Sequence, residues 1–363
     1  MKKYKVGIIG ATGMIGRRFL EILCNHPIFE PTVLAASYKS AGKTYKEALK
    51  NRIKKTNSSL CKFYNFILLD AQNDIEKITS LVDFVFCAID MNKNDTKKIE
   101  ETYAKNECPV ISTNSAHRQT SDVPMIIPEI NYNHTKIIKF QKERLKTKYG
   151  FIVTKPNCSI QCFVPAIHPL LDFNIEKILV CTYQAISGAG KTFDSWPEIF
   201  DNLIPFINSE EEKTETEPLK IWGEIKNGKI INKKNLSITS QCLRIPVSDG
   251  HTAAVFVSFK NKISSKEILE KWSTYESKIK NLNLPSMPKK FIHYYNNPYE
   301  PQIKYVREPD KSMSILIGRL RKDIHYDFKF ISMAHNTLRG AAKGAVLTAE
   351  LLYKQGFLKN KIL

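Results

Sequence analysis

Over the first third of the chain, short apolar runs alternate with polar stretches of helical period. Lys5–Gly10, Thr32–Ala36, Phe66–Leu69, Phe84–Ala88 and Val110–Ser112 lack the strict alternation of a strand with one wet face, and read as strands buried on both sides. Arg17–Leu23 and Lys93–Lys105 between them carry helical spacing. Strands alternating with helices predict a parallel sheet with right-handed crossovers. Residues 50–66 read as a solvated insertion. After about residue 155 the pattern changes. Alternating strands are predicted at Lys177–Ala185, Leu236–Pro246, Thr252–Phe259, Ser312–Leu320 and Phe328–Met333, with helices near 194–204, 209–223 and 265–279. An apolar-periodic helix is predicted from Ile160 towards Leu171, and a last one from Asn336 to Lys354, ended by Gly356.

The first strand runs into Gly10-Ala11-Thr12-Gly13-Met14-Ile15-Gly16 and then into the first helix. Glycines there let the backbone approach a pyrophosphate, and the helix N-terminus supplies N–H donors and positive dipole. The alternative is a purely structural tight turn. The fold class is therefore α/β: a Rossmann-type dinucleotide-binding domain joined to a second, α+β domain built on a mostly antiparallel sheet. The expected division is residues 1–155, completed by a C-terminal helix over 336–363, and residues 156–335. Gly10, Thr12, Gly13, Met14, Ile15 and Gly16 are the candidate cofactor contacts. The second strand leads into Ser37, Tyr38, Lys39 and Ser40, with no acidic residue for a ribose 2′-hydroxyl. Hydroxyls and a lysine suit a 2′-phosphate, so Ser37, Lys39 and Ser40 favour NADP, with NAD as the other possibility.

Composition narrows the function classes. With 363 residues, 42% of them hydrophobic and 25% charged, the chain has room for two domains of a globular protein. It contains no apolar run long enough to span a membrane and no signal-like N-terminus. Eight cysteines without paired spacing fit a reducing, cytoplasmic setting. The formal net charge of +19 raises the question of nucleic acid. The lysines are dispersed, however, and the one short cluster, Arg52-Ile53-Lys54-Lys55, has no recognition motif beside it. Attraction for small anionic substrates is the expectation, with no nucleic-acid partner.

The strongest chemical signal is Cys158, in Lys155-Pro156-Asn157-Cys158-Ser159, between the strand at Phe151–Thr154 and the helix predicted to follow. A thiol at a helix N-terminus is biased towards thiolate. Cys162 lies four residues on, but without a second ligand pair this is poor zinc spacing, and no metal site is expected. The competing reading is an inert buried cysteine, which suits Cys24, Cys87, Cys108 and Cys181 better. His251 opens a strand seven residues after Arg244. An imidazole there can cycle protons, and the guanidinium can fork a carboxylate. Together these residues predict covalent catalysis at sulfur coupled to hydride transfer.

From Lys5 to Phe357 the chain resembles the aspartate-semialdehyde dehydrogenase family, in its archaeal and fungal branch. The resemblance rests on Gly10–Gly16, Ala36-Ser37 through Gly42-Lys43, Ile127-Pro128-Glu129, Pro156–Ser159, Gln184–Gly190, Asp201–Pro205, Glu210–Lys213, Asp249-Gly250-His251 and Asn336–Ala342. It implies Cys158 as nucleophile, His251 as acid/base and Gln184 as the group orienting the acyl carbon. It also implies Arg244 on the substrate α-carboxylate, Glu210 on the α-amino group, and Arg118 and Lys213 on the phosphate, with Asn114 nearby. Ser187, Gly188, Gly190 and Asn336 would hold the cofactor. The implied reaction is NADPH-dependent reduction of 4-phospho-L-aspartate to L-aspartate 4-semialdehyde and inorganic phosphate, a step in lysine, threonine and methionine biosynthesis. The implied assembly is a homodimer or homotetramer through the second domain. The chain departs from the family pattern at Lys191-Thr192-Phe193, Leu243, Lys343 and Ala88-Ile89-Asp90-Met91. A malonyl-CoA reductase is the nearest rival, disfavoured by Pro156-Asn157 and by the Glu210 and Lys213 pair. An N-acetylglutamyl-phosphate reductase and a non-catalytic NADP- or nucleic-acid-binding protein are the remaining alternatives.

Overall fold

The computed structural model describes residues 2–50 and 58–360. The Arg52–Lys55 cluster and the middle of the expected insertion lie outside these residues. Two six-stranded sheets organise the chain. The first contains β1 (Tyr4–Ile9), β2 (Phe29–Ala36), β3 (Leu69–Asp70), β4 (Phe84–Cys87), β5 (Val110–Ser112) and β6 (Ile152–Thr154). All its pairings are parallel, in the order β3-β2-β1-β4-β5-β6. The order reverses between β1 and β4, which opens a crevice at the carboxyl ends of those strands. Phe19, Leu20 and Leu23 of the helix Met14–Leu23 pack on one face together with Val346, Leu347 and Leu351 of the last helix. The rings of Phe19 and Phe86 stack with centroids 4.5 Å apart.

The second sheet contains β7 (Ile175–Gln184), β10 (Ser237–Arg244), β11 (His251–Phe259), β12 (Ile292–Tyr295), β13 (Ile315–Lys322) and β14 (Phe328–Ala334), in the order β10-β7-β11-β14-β13-β12. Its three inner pairings are antiparallel and both edge pairings are parallel, so the sheet is mixed. A small hairpin, β8 (Glu224–Lys226) and β9 (Lys229–Ile231), stands apart. Ile178, Val180, Ala253, Val255 and Val257 point into the core, while Cys181, Tyr183, Ala254 and Phe256 remain half-buried on the other face. That alternation is the mark of a sheet covered on one side by its own chain.

Several predicted elements differ from those observed. The helix expected from Ile160 is broken into a 3-10 turn at Ser159–Cys162, a short helix at Val164–Ile167 and a second 3-10 turn at His168–Phe173. Pro165 and Pro169 lack the amide hydrogens that a continuous helix needs. Pro197 likewise leaves only two short 3-10 turns in the 194–204 region. The helix expected over 265–279 stops at Thr274. The strand near Phe66–Leu69 shrinks to Leu69–Asp70, with Ile67 forming an isolated bridge to Thr44. The last helix begins at Ala342, not Asn336, because residues 335–341 form a tight turn in which Gly340 N–H donates to His335 O. A Cβ on Gly340 would stand 2.2 Å from Asn336 O, so only glycine fits. No helix among the described residues is long and apolar enough to cross a membrane.

Candidate active site

A crevice of 1220 Å³ lies between the two sheets. On its first-sheet wall, Gly10 follows β1 with φ of 90°, and a Cβ there would stand 2.3 Å from Ala88 O. A Cβ on Gly16 would meet Gly10 O at 2.2 Å. These glycines let the strand end, the next helix and the end of β4 close on one another. Thr12, Gly13, Met14 and Ile15 line the crevice. Gly13 is the N-cap and supplies no side-chain cap, and no acidic residue occupies the first turn. Uncapped N–H groups with no competing carboxylate fit a pyrophosphate. Ser37, Lys39 and Ser40 form an exposed or half-exposed turn after β2, outside the crevice lining. The turn presents hydroxyls and an ammonium, a donor set that fits a ribose 2′-phosphate.

On the opposite wall, the chain leaves β6 and turns at Asn157 to present Cys158. The turn is heavily pinned. Asn157 N–H donates to Glu217 Oε2 at 2.6 Å, its Nδ2 donates to Glu210 Oε1 at 2.9 Å, and its Oδ1 accepts from Ser159 N at 2.7 Å. Cys158 Sγ faces His251 Nε2 at 3.4 Å. The main-chain N–H of Ala185 donates to His251 Nδ1 at 3.0 Å. That donor places the proton of the neutral ring on Nε2, directed at sulfur.

The electrostatics differ from the expectation of a helix-stabilised thiolate. Cys158 keeps some contact with the crevice, yet burial pushes the thiol up to about 11. The Glu210 charge adds to this rise, while Arg118 and Arg244 oppose it. The 3-10 turn that follows is too short to provide a strong dipole. Burial and then the Arg244 charge lower His251 to about 3. The resting pair is therefore thiol and neutral imidazole. A substrate carboxylate on Arg244 would weaken the field that keeps the ring neutral. Glu210→Gln should move the midpoint of Cys158 alkylation by iodoacetamide to lower pH, because it removes a carboxylate that disfavours thiolate. Measuring the alkylation rate against pH checks this. An unchanged or raised midpoint would mean that the carboxylate does not act on sulfur.

Glu210 and Gln184, both buried, meet the half-buried Lys213 in one cluster. Lys213 Nζ donates to Glu210 Oε1 at 3.0 Å, and Gln184 Nε2 donates to Glu210 Oε2 at 3.2 Å. Burial would raise the Glu210 carboxyl, but the Lys213 ammonium and the bonds from Gln184 and Asn157 hold it below the usual carboxylate range. Arg244, at the end of β10 beside Gln184, anchors Nη1 to Ala185 O at 2.8 Å. A Cβ on Gly188 would come within 2.8 Å of Arg244 Nη1 and 3.2 Å of His251 Nε2, so glycine keeps this corner open. Asn336 is buried: Nδ2 donates to Ser187 Oγ, and Oδ1 accepts from Gly250 N, each at 2.8 Å. Ser187, Gly190 and Asn336 all line the crevice.

Arg118 lines the crevice, donating through Nη1 to Glu217 at 3.0 Å and through Nη2 to Thr113 O at 2.9 Å. Asn114 also lines it, but its Nδ2 donates to the buried Glu100 at 2.9 Å, so the amide nitrogen is already engaged. The sequence reading missed Glu217 and Gly340. Glu217 lies seven residues after Glu210, a helical repeat that could have flagged it. Gly340 stands in a quoted motif, and a Cβ there would lie 2.8 Å from Cys158 Cβ.

Two family models match: the semialdehyde dehydrogenase NAD-binding domain over residues 5–138, and the semialdehyde dehydrogenase dimerisation domain over 167–339. The aspartate-semialdehyde dehydrogenase of Archaeoglobus fulgidus is 38% identical over 353 residues, spanning 97% of this chain and 99% of that protein. The crystal structure of the Candida albicans aspartate-semialdehyde dehydrogenase with NADP superposes with a TM-score of 0.87 at 31% identity, covering 98% of this chain and 100% of that one. The Vibrio cholerae aspartate-semialdehyde dehydrogenase II complexed with ASA gives a TM-score of 0.70 at 25% identity, covering 98% of this chain and 99% of that one. Archaeal and fungal relatives matching almost end to end, on a crevice that faces a thiol and an imidazole, place this chain in the aspartate-semialdehyde dehydrogenase family.

Proposed function

We propose that the chain catalyses NADPH-dependent reduction of 4-phospho-L-aspartate to L-aspartate 4-semialdehyde, releasing inorganic phosphate. In this reading, residues 1–155 with 336–363 form the cofactor-binding unit, and residues 156–335 form the catalytic and dimerisation unit. The observation that carries the reading is the 3.4 Å approach of Cys158 Sγ to His251 Nε2, in a crevice also lined by Arg118, Glu210 and Arg244. The half-buried face of the second sheet supports assembly as a homodimer or a homotetramer.

Each side chain has a task. Arg244 forks the α-carboxylate, with its guanidinium already held at Ala185 O. Glu210 accepts the α-ammonium, exchanging part of its Lys213 contact for it. The freed Lys213 and Arg118 then hold the phosphoryl group, and Asn114 takes part once its amide turns from Glu100. Cys158 attacks the acyl carbon as its thiol proton passes to the departing phosphate, the bond from the acyl carbon to the phosphate oxygen breaks, and a thioester remains on sulfur. Gln184 orients that acyl group. Gly10, Thr12, Gly13, Met14, Ile15 and Gly16 cradle the pyrophosphate. Ser37, Lys39 and Ser40 take the 2′-phosphate, and Ser187, Gly188, Gly190 and Asn336 frame the nicotinamide end. NADPH, when bound, supplies the hydride. His251 Nε2–H bonds the oxyanion that develops beside sulfur, and then the thiolate as it departs.

The test is phosphate-dependent reduction of NADP with L-aspartate 4-semialdehyde, repeated with NAD and without phosphate. NADPH should form only when phosphate is present, and faster than NADH. Malonyl-CoA offered with NADPH should give no turnover. Equal rates without phosphate, or turnover of malonyl-CoA alone, would overturn the assignment.

A further inference from the structure

The helix Glu210–Ile221 contributes more than the two residues facing the crevice. Residues 210, 213, 217 and 220 recur at three- and four-residue spacing and lie along one side of the helix. Glu217 is buried and uses its two oxygens for different purposes. Oε1 accepts from Arg118 Nη1 at 3.0 Å, and Oε2 accepts from Asn157 N–H at 2.6 Å. Asn157 immediately precedes Cys158 and sets the turn that presents the thiol. One turn further on, Lys220 Nζ donates to the carbonyls of Arg118, Thr120 and Val123 at 2.6, 2.7 and 2.8 Å. The segment carrying Arg118 is thus fastened to the same helix as the turn carrying the nucleophile. Arg118 Nε is buried and has no protein partner among the described residues. The guanidinium therefore keeps donor capacity for an anion.

We propose that Glu217 is a positioning residue that couples anion occupancy at Arg118 to the placement of the Cys158 thiol. The proposal rests on the phosphate-dependent reaction given above. Glu217 neither bonds sulfur nor itself lines the crevice; it acts through two residues that do, by way of the Arg118 guanidinium and the Asn157 peptide. An anion drawing the guanidinium forward takes charge-assisted bonding away from Oε1. The carboxylate then concentrates its charge on the Asn157 N–H and tightens the turn. Coupling of this kind is reciprocal: whatever phosphate does to the thiol, the state of the thiol does to phosphate binding.

Glu217→Gln separates this role from bulk stability, because the amide keeps the shape but retains one acceptor for two donors. The measurements are the KM for inorganic phosphate, the KM for NADP, and the rate of Cys158 alkylation by iodoacetamide with and without phosphate. The expected result is a phosphate KM raised about tenfold or more with little change in the NADP KM. In the wild type, phosphate should change the alkylation rate; in the variant it should not. In an Arg118→Ala background, Glu217→Gln should add little further to the phosphate KM, since both changes remove one interaction. Glu217→Asp, which keeps the charge but cannot span both partners, should show the same pattern and replaces the glutamine variant if that fails to fold. A phosphate KM unchanged in the variant would overturn the proposal. So would phosphate and NADP constants rising together, effects that add fully to Arg118→Ala, or wild-type alkylation indifferent to phosphate. Absence of phosphate-dependent NADP reduction in the wild type would instead overturn the reaction itself.

Discussion

Cys158→Ala is expected to lower turnover by more than about 10⁴-fold while leaving NADPH affinity unchanged. Steady-state rates and a direct NADPH titration measure the two halves of this expectation. The separation follows from how the turn is held. Asn157 and Ser159 make the bonds that shape it, and among the described residues the side-chain hydrogen bond of sulfur is to His251. Alanine keeps the Cβ against which Gly340 packs, so neither the turn nor the crevice has cause to move. The nucleotide loop lies on the other wall and shares no bond with the sulfur. Residual turnover within tenfold of wild type would rule out a thioester. Loss of NADPH binding would mean that the thiol supports the crevice itself.

The largest effect on stability is expected outside the crevice lining, at Glu129→Ala. Arg339 Nη1 and Nη2 donate to the two oxygens of Glu129 at 2.7 and 3.0 Å, and Nη1 also reaches Met313 O at 2.9 Å. Both side chains are almost completely enclosed, with 2% and 0% of their surfaces exposed. Phe291 lies beneath the guanidinium at 4.7 Å, which adds attraction for the cation but cannot neutralise it. Removing the carboxylate leaves a buried charge without its partner, a loss of about 3–5 kcal/mol. Lys155, also buried, makes the site less tolerant: burial and the neighbouring Arg339 already push its pKa well below the usual lysine range, while Glu129 opposes that shift. Urea unfolding should show the midpoint falling steeply for Glu129→Ala. Adding Arg339→Met to the same chain should recover a large part of the loss, because an apolar side chain needs no partner. A single substitution that leaves the midpoint unchanged would mean that water reaches Arg339.

The elements that carried clear periodicity were legible before any coordinates. The β1–loop–helix unit needs only a buried run, glycines where backbone must meet backbone, and a helix start, all of which are local. The same holds for β7, β11 and β14, whose alternation matches the pleat. Errors arose where local pattern met a long-range requirement. Apolar spacing after Cys158 suggested a helix, but Pro165 and Pro169 broke it, and with it went the dipole argument for a ready thiolate. The turn at 335–341 looked helical by composition, yet Asn336 is bound to Ser187 and Gly250, more than eighty residues away. Asn114, placed near the phosphate by resemblance, does line the crevice, and its amide nitrogen is turned to Glu100.

Residue order alone was enough to establish a nucleotide loop, a nucleophile candidate and a helix bearing carboxylates and lysines, since each is written in neighbouring positions. Which of these meet, and in what protonation state, emerged only from packing. Ala185 chooses the tautomer of an imidazole sixty-six residues away, and Glu217 joins an arginine to the nucleophile's turn across ninety-nine. Burial then outweighs the helix terminus at sulfur. Such terms depend on distance and on exclusion of water, neither of which exists until the chain has closed on itself.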